Sequence, residues 1–160
     1  MKHLLTISIL TLLSGHGYTQ SGAKFDRKAF YQAMEQNKRE LVNEQLKLIS
    51  EVPAELRQSF EVALIMRKAG FAGVPGQKLK LFRAGHKELE AAIRKEPGNV
   101  EYRFLRLVVQ ENAPGILGYN NDLEADSEII RKSYKTLPEE VQLAIERYSK
   151  KSRVLKLHVS

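Results

Sequence analysis

A chain of 160 residues that is 42% apolar and 28% charged has the length of one domain and can bury a sizeable core. It contains no cysteine, which excludes a disulfide framework, a thiol nucleophile and any cysteine-held metal. Its formal charge of +7 arises from 26 Lys and Arg interspersed with 19 Asp and Glu, a pattern of solvated helix faces rather than of a basic tail.

Lys2 and His3 form a short basic start, followed by an apolar run from Leu4 to Leu13. A membrane span needs about 20 residues, whereas the hydrophobic region of a secretory signal spans roughly 7–15. The expectation is a signal peptide over residues 1–17, cut before Tyr18 or as late as residue 20. Residues 18–24 then form a flexible segment. No later stretch is apolar for long enough to cross a membrane.

From Phe25 onward the pattern has helical period and no strand alternation, so one all-helical domain is predicted over residues 25–152. Phe30, Ala33 and Met34 mark a short first helix. Asn37 with Glu40 reads as a capping box opening a second, with Leu41, Leu48 and Ile49 inward. Pro53 suits the start of a third helix, where its missing N–H costs nothing. Leu56, Phe60, Ala63 and Leu64 line that helix, and Val62, Ile65 and Met66 extend the apolar surface around it. Gly70 to Gly76 (GFAGVPG) breaks the chain. A fourth helix carries Leu79, Phe82, His86, Leu89 and Ile93. Asn99 caps a fifth, whose Leu105, Leu107, Val108 and Val109 predict burial on several sides. Asn112 to Tyr119 (NAPGILGY) is the second break. Two further capping boxes, Asn121 with Glu124 and Thr136 with Glu139, open helices bearing Ile129, Ile130 and Tyr134, then Val141, Ala144, Ile145 and Tyr148. About seven helices on short loops predict antiparallel neighbours stacked as hairpins, without a sheet. Residues 153–160 read as a tail laid on the surface.

Gly85, Leu89, Ala92 and Pro97 place small, bulky and small residues and then a proline along one helix and its turn. That order resembles the second helix of a tetratricopeptide repeat, and it implies a right-handed helical array in which small residues let neighbours approach closely. In the following helix Arg103, Arg106 and Leu107 stand where that family has an aromatic residue, leucine and glycine, and no repeat of roughly 34 residues recurs. The phrases Tyr102 to Leu107 (YRFLRL), Gln110 to Pro114 (QENAP) and Gly118 to Asn120 (GYN) also resemble those of a family of small, uncharacterised secreted bacterial helical proteins. That likeness implies the same all-helical fold and export, and assigns no activity.

No catalytic constellation assembles. His86 with Glu90 one turn on has the spacing of an acid–base or metal pair, but a hydrolytic zinc site wants three protein ligands. Asn120, Asp122, Glu124 and Asp126 alternate like a calcium loop, yet the sixth-position glycine is missing and Arg131 stands where the bidentate carboxylate belongs. Ser59, Ser127 and Ser133 lie in helical patterns without a Gly-x-Ser-x-Gly elbow. The reading is therefore a non-catalytic exported scaffold, needing no cofactor, that binds a protein or peptide beside Tyr102, Arg103, Arg106 and Tyr119. The alternative is an anionic envelope lipid or polysaccharide held by Lys78, Lys80, Arg83 and Lys87. Nucleic acid is set aside because an exported protein does not meet it.

Overall fold

Asp26 opens the first helix by accepting the Ala29 N–H on Oδ1 at 3.0 Å, the arrangement that satisfies an orphan donor of the first turn. The computed structural model describes residues 25–157, apart from the side chains of Glu55 and Leu56. The predicted signal peptide, the segment 18–24 and His158 lie outside the described residues. Seven helices follow one another: α1 (Arg27–Gln36), α2 (Arg39–Ile49), α3 (Ala54–Ala69), α4 (Pro75–Lys95), α5 (Val100–Asn112), α6 (Leu123–Ser133) and α7 (Glu139–Ser149). Two short 3-10 turns, Gly115–Leu117 and Tyr134–Thr136, precede and follow α6. The described residues are all-helical, as expected, and contain no strand.

The three predicted capping boxes do not form, for three local reasons. Asn37 ends α1 instead of starting α2, in the left-handed conformation (φ 53°) that asparagine tolerates better than most residues. Asp122, not Asn121, stands at the start of α6, and its carboxylate is turned toward Arg106 and Gln110. Thr136 belongs to the second 3-10 turn, where its hydroxyl donates to the Ser133 carbonyl at 2.7 Å, and Pro138 opens α7. Asn99 does cap α5, its Oδ1 accepting the Tyr102 N–H at 3.1 Å. Leu48, expected inward, is 53% exposed, and Val42 takes its place in the core.

α3 and α5 are covered on more than one side. In α5 every residue from Phe104 to Gln110 is buried; α3 packs on α2, α4 and α5. The partners of α3 and α4 run in opposite directions: Gln58 meets Glu88 at 3.0 Å, while Val62 and Met66 face Gly85. The same descent relates α5 and α6, where Arg103 meets Asp126 and Gln110 meets Asp122. Gly85 therefore serves a close approach to α3, not to α5. A β-carbon there would stand 2.3 Å from Met66 Cγ.

Of the expected surface tail, residues 153–157 are described, and they are anchored to the core. Leu155 is completely buried and Ser152 nearly so. Ser152 Oγ accepts the Leu155 N–H at 2.8 Å, and Ser127 Oγ donates to the Val154 carbonyl at 3.0 Å. Glu111 holds the same segment, accepting from Tyr148 Oη at 3.0 Å, Ser152 Oγ at 2.7 Å and the Arg153 N–H. The weak alternation of this stretch concealed a single core leucine anchored by hydrogen bonds to α5 and α6.

Candidate functional site

Arg106, Arg103, Tyr119 and Tyr102 were expected to line an accessible groove, and the structure instead buries Arg106, Tyr119 and Tyr102 and commits the half-buried Arg103 to neighbouring groups. Arg106 projects from α5 into α6, donating from Nε to Asp126 Oδ2 at 2.6 Å and from Nη2 to Asp126 Oδ1 at 2.7 Å. Its Nη1 meets Glu90 at 3.0 Å and Asp122 at 3.2 Å. Arg103 adds a bond to Asp126 at 3.0 Å and donates to the Pro97 carbonyl. Tyr119 donates to Glu90 at 2.7 Å. Asp126 is fully buried and Arg106 is 6% exposed, so this bidentate pair is removed from water. Burial opposes the charge on Arg106, but the bonds and charge of Asp126, backed by Glu90 and Asp122, raise its proton affinity above the ordinary guanidinium value. Burial, then the bond to Glu90, likewise push the Tyr119 phenol well above its usual range. Tyr102 is buried against Phe60. The cluster is a structural staple of α4, α5 and α6, with little left to offer a partner.

The remaining candidates dissolve into the same packing. The imidazole of His86 stacks on Tyr119 at 3.9 Å between ring centroids, while the Glu90 carboxylate is bonded to Arg106 and Tyr119. In the calcium-like loop Asp122 and Asp126 face Arg106, which supplies the positive charge that a cation would have supplied. Ser127 is committed to the Val154 carbonyl, Ser59 is buried and Ser133 is half-buried near the end of α6.

Lys78, Lys80, Arg83 and Lys87 are all exposed. At 3.6 residues per turn Lys80, Arg83 and Lys87 share the outer face of α4, whereas Lys78 lies on the opposite side. The expected patch of four is therefore a stripe of three.

Lys78 instead stands at a groove of about 590 Å³ where the two glycine- and proline-rich breaks come together. Phe71 and Pro75 from the first break face Pro114, Ile116 and Leu117 from the second. The end of α3 (Met66, Arg67, Ala69), the start of α4 (Leu79, Phe82) and the end of α5 (Val108, Val109) complete its walls. Its volume falls within the range of about 300–1,000 Å³ that small ligands occupy. Ile116 at its rim is 95% exposed and Val74, beside Pro75, 62% exposed, so apolar surface continues out of the groove. Apolar surface left open in this way marks an interaction site when it is contiguous.

Arg67 is the one cation set into these walls from α3. Its Nε is buried without a hydrogen-bond partner. Among the described residues no carboxylate forms an ion pair with it. Burial lowers its proton affinity below the ordinary guanidinium value. Sequence reasoning passed over Arg67, since an arginine in the last turn of a helix is what the helix dipole favours. The available signal was the apolar Gly-Ile-Leu-Gly at 115–118, a surface loop carrying two large apolar side chains.

Comparisons of the chain with protein-family models, curated proteins and solved structures find no match.

Proposed function

We propose that this chain is an exported, non-catalytic helical binding protein whose binding site is the groove between α3, α4, α5 and the Gly115–Leu117 turn. The observation that carries the reading is the open apolar groove itself, with walls from α1, α3, α4, α5 and the Gly115–Leu117 turn and an exposed isoleucine at its rim. An apolar group fills it, whether free or carried on a protein or peptide. The tetratricopeptide-like order of Gly85, Leu89, Ala92 and Pro97 supports a scaffold, and the apolar run Leu4 to Leu13 supports export. The test is methyl NMR of the protein with an apolar fluorescent probe. Shifts should concentrate on Ile116, Leu117, Leu79 and Val109, and Leu79→Lys should weaken the probe's fluorescence enhancement. Shifts confined to the exposed Leu48 and Leu143 would place binding elsewhere and end the proposal.

A second reading rests on the stripe Lys80, Arg83 and Lys87, which suits an anionic envelope lipid or polysaccharide. Because such exposed charges are screened over about 10 Å at 0.1 M salt, acidic vesicles should retain the protein at low salt and release it as salt rises. Retention unchanged by salt removes this reading.

A further inference from the structure

We propose that the ligand of this groove is an aliphatic monocarboxylate of the fatty-acid class, with its carboxylate on Arg67 and its chain along Met66, Leu79, Phe82 and Val109. The inference rests on the groove being the binding site, and adds the chemistry of the occupant.

Three observations point to this class. Arg67 is a half-buried guanidinium whose Nε has no hydrogen-bond partner, an arrangement that costs stability unless an anion completes it. The nearest hydrogen-bonded set does not complete it: Tyr148 donates to Glu111, and Asn112 Nδ2 is spent on the Val108 carbonyl and Tyr148 Oη. Residues 1–24 and 158–160, which lie outside the described residues, contain no Asp or Glu. Glu55 lies twelve positions before Arg67 on the same helix, roughly 18 Å away at 1.5 Å per residue.

The second observation is the count of charges. Arg67 is the single cation set within the apolar wall, which matches a monoanion, whereas Lys78 stays exposed at the mouth, so a phosphate monoester with about −1.5 to −2 would leave part of its charge uncompensated against that wall. Lys78 stands exposed at the mouth, in position to draw an anion toward the groove.

The third is the scarcity of other polar groups. Apart from the two cations, Asn37 and Asn112 supply the polar side chains of the lining. A peptide would bring a backbone N–H and C=O at every residue, each costly to bury unpaired. An aliphatic chain brings none, so its only polar demand is met at Arg67.

The experiment compares a saturated long-chain fatty acid with the primary alcohol of the same chain length, both below their aggregation limits, by displacement of a fluorescent probe from the full chain. The acid should bind more tightly than the alcohol. Arg67→Leu should weaken the acid by about ten- to hundredfold, as expected for loss of a hydrogen bond to a charged group, and leave the alcohol unchanged. Without ligand, Arg67→Leu should melt no lower than the parent, because it removes a buried Nε that has no hydrogen-bond partner; this separates lost binding from lost folding. Equal affinity for acid and alcohol, unaltered by Arg67→Leu, would overturn the carboxylate assignment and leave the groove reading standing. So would a short apolar peptide that outcompetes the acid. If neither amphiphile binds and Leu79→Lys changes nothing, the groove reading itself falls.

Discussion

Arg106 grips Asp126 through two parallel hydrogen bonds of 2.6 and 2.7 Å, and Asp126 has no exposed surface at all. A buried pair of this kind is weak evidence of stability gained but strong evidence of stability at risk, since removing one partner strands the other's charge. Arg106→Leu should therefore destabilise the fold by about 3–5 kcal/mol. The double variant Arg106→Leu with Asp126→Leu should recover part of that loss, because the stranded Asp126 carboxylate is gone. Chemical denaturation of the parent, Arg106→Leu, Asp126→Leu and the double variant checks this; a double variant less stable than both single ones would refute the stranded-charge account.

Gly85 and Met66 are coupled by close approach of α3 and α4. Gly85→Ala offers better helix propensity, by about 1 kcal/mol. However, its new β-carbon would stand 2.3 Å from Met66 Cγ, which lies close to the α3 backbone and cannot be cleared by turning the end of the side chain alone. Overpacking of that kind costs about 1–3 kcal/mol, so the substitution should destabilise the parent. In a Met66→Ala background the clash is gone and the same change should stabilise. The reversal of sign, read from melting temperatures, is the test.

Ala92 and Ala91 give a comparison in which helix propensity cancels. Ala92 is 7% exposed and shares the inner face of α4 with Gly85 and Leu89, whereas Ala91 is only half-buried. Ala92→Leu should cost about 1–3 kcal/mol by overpacking, and Ala91→Leu clearly less. Equal melting temperatures for the two variants would show that the packing face is misassigned.

Glu111 ties the C-terminal segment to α5, and the tie should fail in acid. Burial acts to raise its carboxyl, but the Arg153 N–H, the Ser152 and Tyr148 hydroxyls and the Arg153 charge together hold it below the ordinary value of 4.5. A carboxyl depressed in the folded state contributes stability above its unfolded value and loses it as pH falls through the folded one. The stability difference between the parent and Glu111→Gln should thus be full near neutrality and shrink below about pH 4.5. Glu101, raised chiefly by burial, works in the opposite direction, but it is common to both proteins. A difference independent of pH would mean that the contacts of Glu111 are not ionic.

Helix positions and their inner faces were legible from local signals, because they depend on residues three and four apart. Phe60, Val62, Ala63 and Leu64, and Leu105, Leu107, Val108 and Val109, read as multiply covered, and all eight are buried. Pro53 and Asn99 mark helix starts by chemistry that acts within one turn. The capping boxes failed because each capping residue had a competing use. For Asn37 it was the left-handed stop of α1, for Thr136 a 3-10 turn, and near Asn121 the pairing of Asp122 with Arg106.

Partnership across the chain was decided only by the tertiary structure. Nothing local distinguishes Arg106, spent on a buried aspartate twenty positions away, from an arginine free to bind a partner. Nothing local distinguishes Arg67, which pairs with no carboxylate among the described residues, from a solvated arginine at a helix end. The sequence by itself determined an all-helical chain without cysteine chemistry and with two breaks around residues 70–76 and 112–119. That those breaks meet at one groove, and that Leu155 is core rather than tail, follows from long-range packing. Burial and charge pairing depend on which helices become neighbours, and no short window of sequence contains that information.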